Sequence, residues 1–181
     1  MEHTERTAAL LRGLTAQFPG LKPMEEGELP AFVALCRSND FYNSISMDEP
    51  PSLESCREDL TALPPGRGRE HKLFLGLWQQ GHLQAVLDLV EGYPDEETLY
   101  IGLLELDTSC QGQGLGTALV KALAQESFQA GFSLLRLACL EANTPGLGFW
   151  QSMGFTQEGT ALWSSGNRPV RKLVRNLNEA A

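Results

Sequence analysis

Residues 110–117 read CQGQGLGT, and this glycine-rich run sits between a strand-like TLYIGLLELD and a helix-like TALVKALAQESFQAGF. Any fold available to the chain must therefore turn from a strand into a helix over a loop almost bare of side chains. The first turn of a helix offers unpaired N–H groups and partial positive charge, so such a loop invites an anion, most simply a phosphate. The usual phosphate loops do not fit. Gly112, Gly114 and Thr117 give G-x-G-x-x-T rather than a dinucleotide fingerprint, and no Lys-Ser/Thr pair closes a Walker loop.

The pattern before the loop constrains the fold further. KLFLGLWQQ, HLQAVLDLV and TLYIGLLELD are three strand-like runs; Gln80 and Gly81 join the first two as a hairpin. Upstream, residues 4–17 show helical spacing (Ala8, Leu11, Leu14), FPGLKPM reads as a brief strand, and residues 28–37 as a helix. SNDFYNSISMDEPPSLES reads as a long polar loop, and SLESCREDLTAL as a second helix that stops at Pro64. Downstream come a helix ending at Gly131, the strand SLLRLACL, a loop EANTPGL, a short helix GFWQSM, and the strands GTALWSS and RPVRKLVRNL. Strands cluster before the glycine loop instead of alternating with helices, which argues against a nicotinamide-dependent Rossmann enzyme.

The 181 residues, 42% hydrophobic and 20% charged, suit one domain with a sizeable core. A formal charge of -9 without a lysine or arginine block argues against a nucleic-acid partner and favours a cationic ligand. Cys36, Cys56, Cys110 and Cys139 form no C-x-x-C pair and His3, His71 and His82 are scattered, so no metal site is expected and the thiols are read as reduced. Without a signal-peptide core or a membrane-length apolar run, the expected address is the cytoplasm.

Two motifs together resemble one family, the GNAT-type acyl-CoA-dependent N-acetyltransferases. Gln111, Gly114 and Gly116 match its Arg/Gln-x-x-Gly-x-Gly/Ala signature, and NTPGLGFWQSMGF, residues 143–155, is similar to its downstream Asn-to-Gly-Phe segment. The resemblance spans roughly residues 18–178. It implies an α/β fold with a central mixed, mostly antiparallel sheet flanked by helices, split where the cofactor enters, with residues 1–17 as a helical extension and 18–181 as a single N-acetyltransferase domain.

It also implies a reaction: an acetyl group passes from acetyl-CoA to a primary amine, a small molecule or peptide, by direct attack. The loop Gln111, Gly112, Gln113, Gly114, Leu115, Gly116 and Thr117 would wrap the pyrophosphate of coenzyme A. The main chain of Leu104, Glu105 and Leu106 would pair with the pantetheine arm, and Asn143 and Phe149 would approach from the other side. A homodimer is compatible with the resemblance.

Direct attack needs a neutral nitrogen, hence a base. Asp88, alone in AVLDLV, is the first candidate, because a carboxylate in an apolar strand has a raised pKa. Glu105 in GLLEL is the second, with a strand parity that could turn it away from the substrate; Tyr100 is the third. Trp150 stands where the family usually has a tyrosine acid, and is read as a wall or hydrogen-bond donor at the sulfur. Phe41 and Tyr42, on the polar loop, are expected at the substrate, with Tyr42 able to supply a hydroxyl. The missing tyrosine keeps a rival open: a non-catalytic acyl-CoA-binding or sensing module of the same fold.

Overall fold

Leu73, Leu75 and Leu77 of one run point to one face of a sheet and Phe74 to the other, and both faces are covered, which is why the run is apolar almost throughout. The computed structural model describes residues 3–163 and 166–178. Strands β1 (Leu21–Pro23), β2 (Lys72–Gln79), β3 (His82–Glu91), β4 (Thr98–Leu106), β5 (Leu134–Leu140), β6 (Thr156–Leu162) and β7 (Pro169–Asn176) form one sheet in the order β1-β2-β3-β4-β5-β7-β6. Every neighbouring pair is antiparallel except β4 and β5, which run parallel. The β2–β3 turn places Gln80 at φ 51° and Gly81 at φ 78°, the left-handed pair that a tight two-residue hairpin requires.

Helices α1 (Glu5–Gln17) and α5 (Leu115–Gln129) cover one face, where Leu10 and Leu14 join Leu119, Val120 and Leu123 in the larger core. Although the sequence reading set residues 1–17 apart, α1 shares that core. Helices α2 (Leu29–Arg37) and α4 (Leu53–Thr61) cover the other face through Leu29, Phe32, Leu35, Cys36 and Cys56.

Three segments differ from the sequence reading. The polar stretch after Arg37 holds a helix, α3 (Asp40–Ser46); only seven residues long, with a serine, Ser46, as its buried residue, it carries no apolar stripe to betray it. The last helix, α6, spans Thr144–Ser152 and so begins within the expected loop: Asn143 Oδ1 caps it by accepting from Gly146 N at 3.0 Å, and Pro145 lies in the first turn. β6 starts earlier than expected and ends at Leu162, and Ser164 and Ser165 of the expected strand lie outside the described residues.

Two features of β4 position everything that follows. Asp88 is opposite Leu103 and Leu89 opposite Ile101, so Gly102 is an extra residue, a β-bulge. Leu99 and Ile101 face the α5 side before the bulge, and Leu104 and Leu106 do so after it. Leu103 and Glu105 are thereby turned to the α2 side. Secondly, β4 and β5 pair from Thr98/Leu134 to Ile101/Leu137 and then part. From Gly102 to Leu106 the β4 edge that faced β5 is left without a neighbouring strand.

Candidate active site

A cleft of about 720 Å³ fills the gap between the parted strands. One end is made by the glycine loop and α5. Gly112 and Gly114 adopt φ of 70° and 85°, and open space surrounds the place where a Cβ would stand on either. The N–H groups of residues 112–117 have no protein acceptor among the described residues, whereas Ala118 N already bonds to Gly114 O at 3.0 Å. A loop that leaves successive N–H groups open at a helix start is a cradle for an anion. Leu104, Leu106, Asn143 and Phe149 line the same cleft, with Phe149 closing against Gly116.

The middle and far end are built by β4, α3 and the chain around Asn39. Glu105 lines the cleft and is buried. Its carboxylate accepts from Asn39 Nδ2 at 2.9 Å and from Cys36 Sγ at 3.5 Å. Burial pushes the Glu105 carboxyl above the usual range; these two hydrogen bonds oppose that and the charge of Asp59 adds to it. Phe41, Tyr42 and Asp40 line this end together with Trp163, which follows β6. Burial, with the Glu105 charge beside it, raises the Tyr42 hydroxyl so that it stays protonated. Trp150 lines the cleft wall, its ring 5.1 Å from those of Phe149 and Phe155.

Two of the expected base candidates lie elsewhere. Asp88 is not among the lining residues; its Oδ1 is 2.7 Å from Lys72 Nζ, and its side chain fills the space left by the missing side chain of Gly102. Burial raises the Asp88 carboxyl and the Lys72 ammonium opposes the rise. Tyr100 also lies outside the cleft lining, edge-on to Tyr93 at 5.2 Å, with its hydroxyl pushed up to about 12 by burial and by Tyr93. A lone carboxylate in an apolar strand thus signals two different things here, a partnered ion and a cleft-facing acid, and the bulge decides which is which.

Ser38, Asn39 and Trp163 line the cleft without having been foreseen. The first two precede the unexpected helix α3, where a Ser-Asn-Asp run reads as a turn and gives no hint of its cleft position. Likewise His82, Asp107 and Cys110 bring ligand-type atoms within 4.8 Å of one another at the hairpin end of the sheet, which spacing did not suggest; Asp107 is engaged there in capping Ser109.

Residues 38–155 match the profile of the Acetyltransferase (GNAT) family. The chain belongs to this family. No curated protein sequence matches it significantly. Among solved structures, an acetyltransferase from Thermus thermophilus shares 26% identity at a TM-score of 0.65, covering 86% of this chain and 95% of that one. The ribosomal-protein-S18-alanine N-acetyltransferase from Escherichia coli shares 19% identity at a TM-score of 0.62, covering 89% and 95%. The PaiA N-acetyltransferase from Thermoplasma acidophilum, in complex with coenzyme A, shares 17% at 0.63, covering 86% and 97%. The last two show a common fold. The matched residues span the parted β4 and β5 strands and the glycine loop that follows β4, and no helix among the described residues is long and apolar enough to cross a membrane.

Proposed function

We propose that this protein moves an acetyl group from acetyl-CoA to the nitrogen of a cationic primary amine, with Glu105 as the base. One observation carries the reading: the cleft has open N–H groups of the glycine loop at one end and a buried carboxylate, Glu105, on the β4 strand leading to it. The residues suit coenzyme A. The loop offers dipoles to a pyrophosphate, which lets an acidic protein hold an anion without lysines, and the free β4 edge offers main-chain groups to an amide-bearing arm.

The acceptor must lose a proton before or as it attacks. An alkylamine of pKa ~10.4 is about one part in a thousand neutral near pH 7.4, a handicap of roughly 4 kcal/mol. Glu105, raised by burial against the opposing pull of two donors, takes that proton; the nitrogen bonds to the acetyl carbon, the carbon–sulfur bond breaks, and the second proton that the nitrogen sheds as the amide forms goes to the departing thiolate. A thiol of pKa ~8.5 is a competent leaving group near neutrality, and the protonated Tyr42 hydroxyl is a cleft group able to relay that proton to it. Trp150 bounds the cleft at the family's tyrosine position and supplies at most an indole N–H.

Charge supports a cationic acceptor. Asp40 belongs both to the cleft and to an adjoining hollow of about 400 Å³ that Glu49 also lines, with Arg37 the opposing cation there and Asp48 paired with Arg168 at 2.7 Å. The aromatic walls Phe41, Tyr42 and Trp163 suit the alkyl part of an amine and its ammonium head. Trp150 also motivates the second reading, an acyl-CoA-binding module without turnover. A panel of amines scored by thiol release from acetyl-CoA separates the two: steady release with at least one amine supports transfer, while tight acetyl-CoA binding with no release across the panel supports the binding module.

A further inference from the structure

Asn39, at the turn between α2 and α3, is buried, and its side-chain amide divides its hydrogen bonds between two parts of the cleft. On one side Nδ2 donates to Glu105 Oε1 at 2.9 Å and to the Leu106 carbonyl at 3.0 Å. On the other, Oδ1 accepts from the Gln111 side-chain amide and from Thr108 Oγ1 at 3.3 Å. Gln111 Nε2 also reaches the Leu106 carbonyl at 3.1 Å. An unbroken chain of hydrogen bonds therefore runs from the first residue of the glycine loop, through one amide, to the carboxylate. Its direction is fixed at both ends, because the Gln111 amide nitrogen can only donate and an ionised carboxylate can only accept. A flipped Asn39 amide would set N–H against N–H and oxygen against oxygen.

We infer that Asn39 is a positioning residue that couples the cofactor loop to the base: a loop held by its ligand fixes Gln111, Gln111 fixes the Asn39 amide, and Asn39 keeps its N–H on Glu105. The coupling rests on the reading of Glu105 as the base. Other groups facing Glu105 are Cys36 from α2, Tyr42 from α3, and Cys56 and Asp59 from α4; Cys139 of β5 lies beside Tyr42, and the Lys72–Asp88 pair lies beyond Asp59. Among these, Cys36 is the other donor to the carboxylate and Asp59 opposes its charge. Losing the Asn39 N–H leaves Glu105 easier to protonate, and the loss is felt at low pH. Asn39 also starts α3, but through its main-chain carbonyl, which accepts from Asn43 N at 2.9 Å and survives a change of side chain.

The test compares Asn39→Leu, Gln111→Leu and the double variant by pH profile, and follows the Glu105 carboxyl carbon by NMR titration with and without coenzyme A. For Asn39→Leu, kcat/KM should fall about tenfold near pH 6.5 and recover to within about twofold near pH 9. Gln111→Leu should move the acidic limb the same way by less, and the double variant no further than Asn39→Leu. The pH at which Glu105 titrates should lie lower in coenzyme A-bound wild type than in either coenzyme A-bound single variant, the ligand's own negative charge raising it alike in all three. A pH-independent loss, additive single effects, or an unchanged response to coenzyme A in folded Gln111→Leu would each overturn the coupling. Should Asn39→Leu not fold, Gln111→Leu alone decides, since Gln111 is exposed and leaves Asn39 in place. If Glu105→Gln keeps full activity, the base assignment fails while the NMR titration still reports whether loop and carboxylate are linked.

Discussion

Gly114 and Gly116 stand two residues apart and need to be glycine for different reasons. Gly114 has φ 85°, so any side chain is strained there even though space is free. Gly116 is the second residue of α5 and its Cβ would sit 3.4 Å from Phe149, an ordinary contact at the edge of the cleft. Gly116→Val therefore separates ligand approach from backbone strain: calorimetry should show acetyl-CoA affinity reduced at least about thirtyfold with the melting point nearly kept, whereas Gly114→Val should also lose about 1–3 kcal/mol of stability. Wild-type affinity in folded Gly116→Val would remove the loop from the cofactor site. Trp150 makes a second residue-level case. Because a thiol of pKa ~8.5 leaves with little help, Trp150→Phe should transfer acetyl groups nearly as well as wild type at alkaline pH and fall behind by at most about tenfold near pH 6, as a pH series on one amine would show.

At the level of elements, regular apolar patterning was legible and irregularity was not. The runs that became β2, β3, β4 and β5, and the stripe of α5, could be read because both faces of the sheet are buried and one face of the helix is. So could the glycine loop, whose residue types carry their own conformational meaning. Helix α3 was hidden because seven residues whose buried member is a serine show no apolar period, and the bulge because its one mark, Gly102 within YIGLLEL, does not by itself say on which face Glu105 falls. For the same reason Asp88 and Glu105, both carboxylates in apolar strands, could not be told apart until the partners Lys72 and Asn39 were in view. The bulge is itself testable. A Cβ on Gly102 would stand 2.5 Å from Asp88 Oδ2, so Gly102→Ala must displace a side chain held by Lys72. Urea unfolding should show a loss of about 1–3 kcal/mol, with acetyl transfer reduced as the face of Glu105 is disturbed. Unchanged stability and transfer would mean that the bulge does not set the site.

Over the whole molecule, 23 acidic against 14 basic side chains give a field that draws cations, while the anion site relies on main-chain dipoles that carry no net charge. Screening at physiological salt limits that field to about 8 Å, so it acts locally, at the hollow where Asp40 and Glu49 face Arg37 and Asp48 is paired with Arg168. Raising salt from about 0.05 to 0.5 M should increase KM for a dicationic amine several-fold and leave that of a monoamine of the same length less affected; equal responses would argue against an acidic acceptor mouth. The fold brings both halves of the chemistry to one place because a single strand, β4, carries Glu105 and then leads into the glycine loop. The account stands most directly on the pH dependence of kcat/KM for acetyl transfer by wild type and Glu105→Gln, measured with acetyl-CoA and the best amine of the panel. Wild-type activity should rise through an acidic limb above the ordinary glutamate range, and Glu105→Gln should be slower by at least about a hundredfold with that limb gone and coenzyme A affinity kept. A variant within about tenfold of wild type, with the acidic limb intact, would contradict the account.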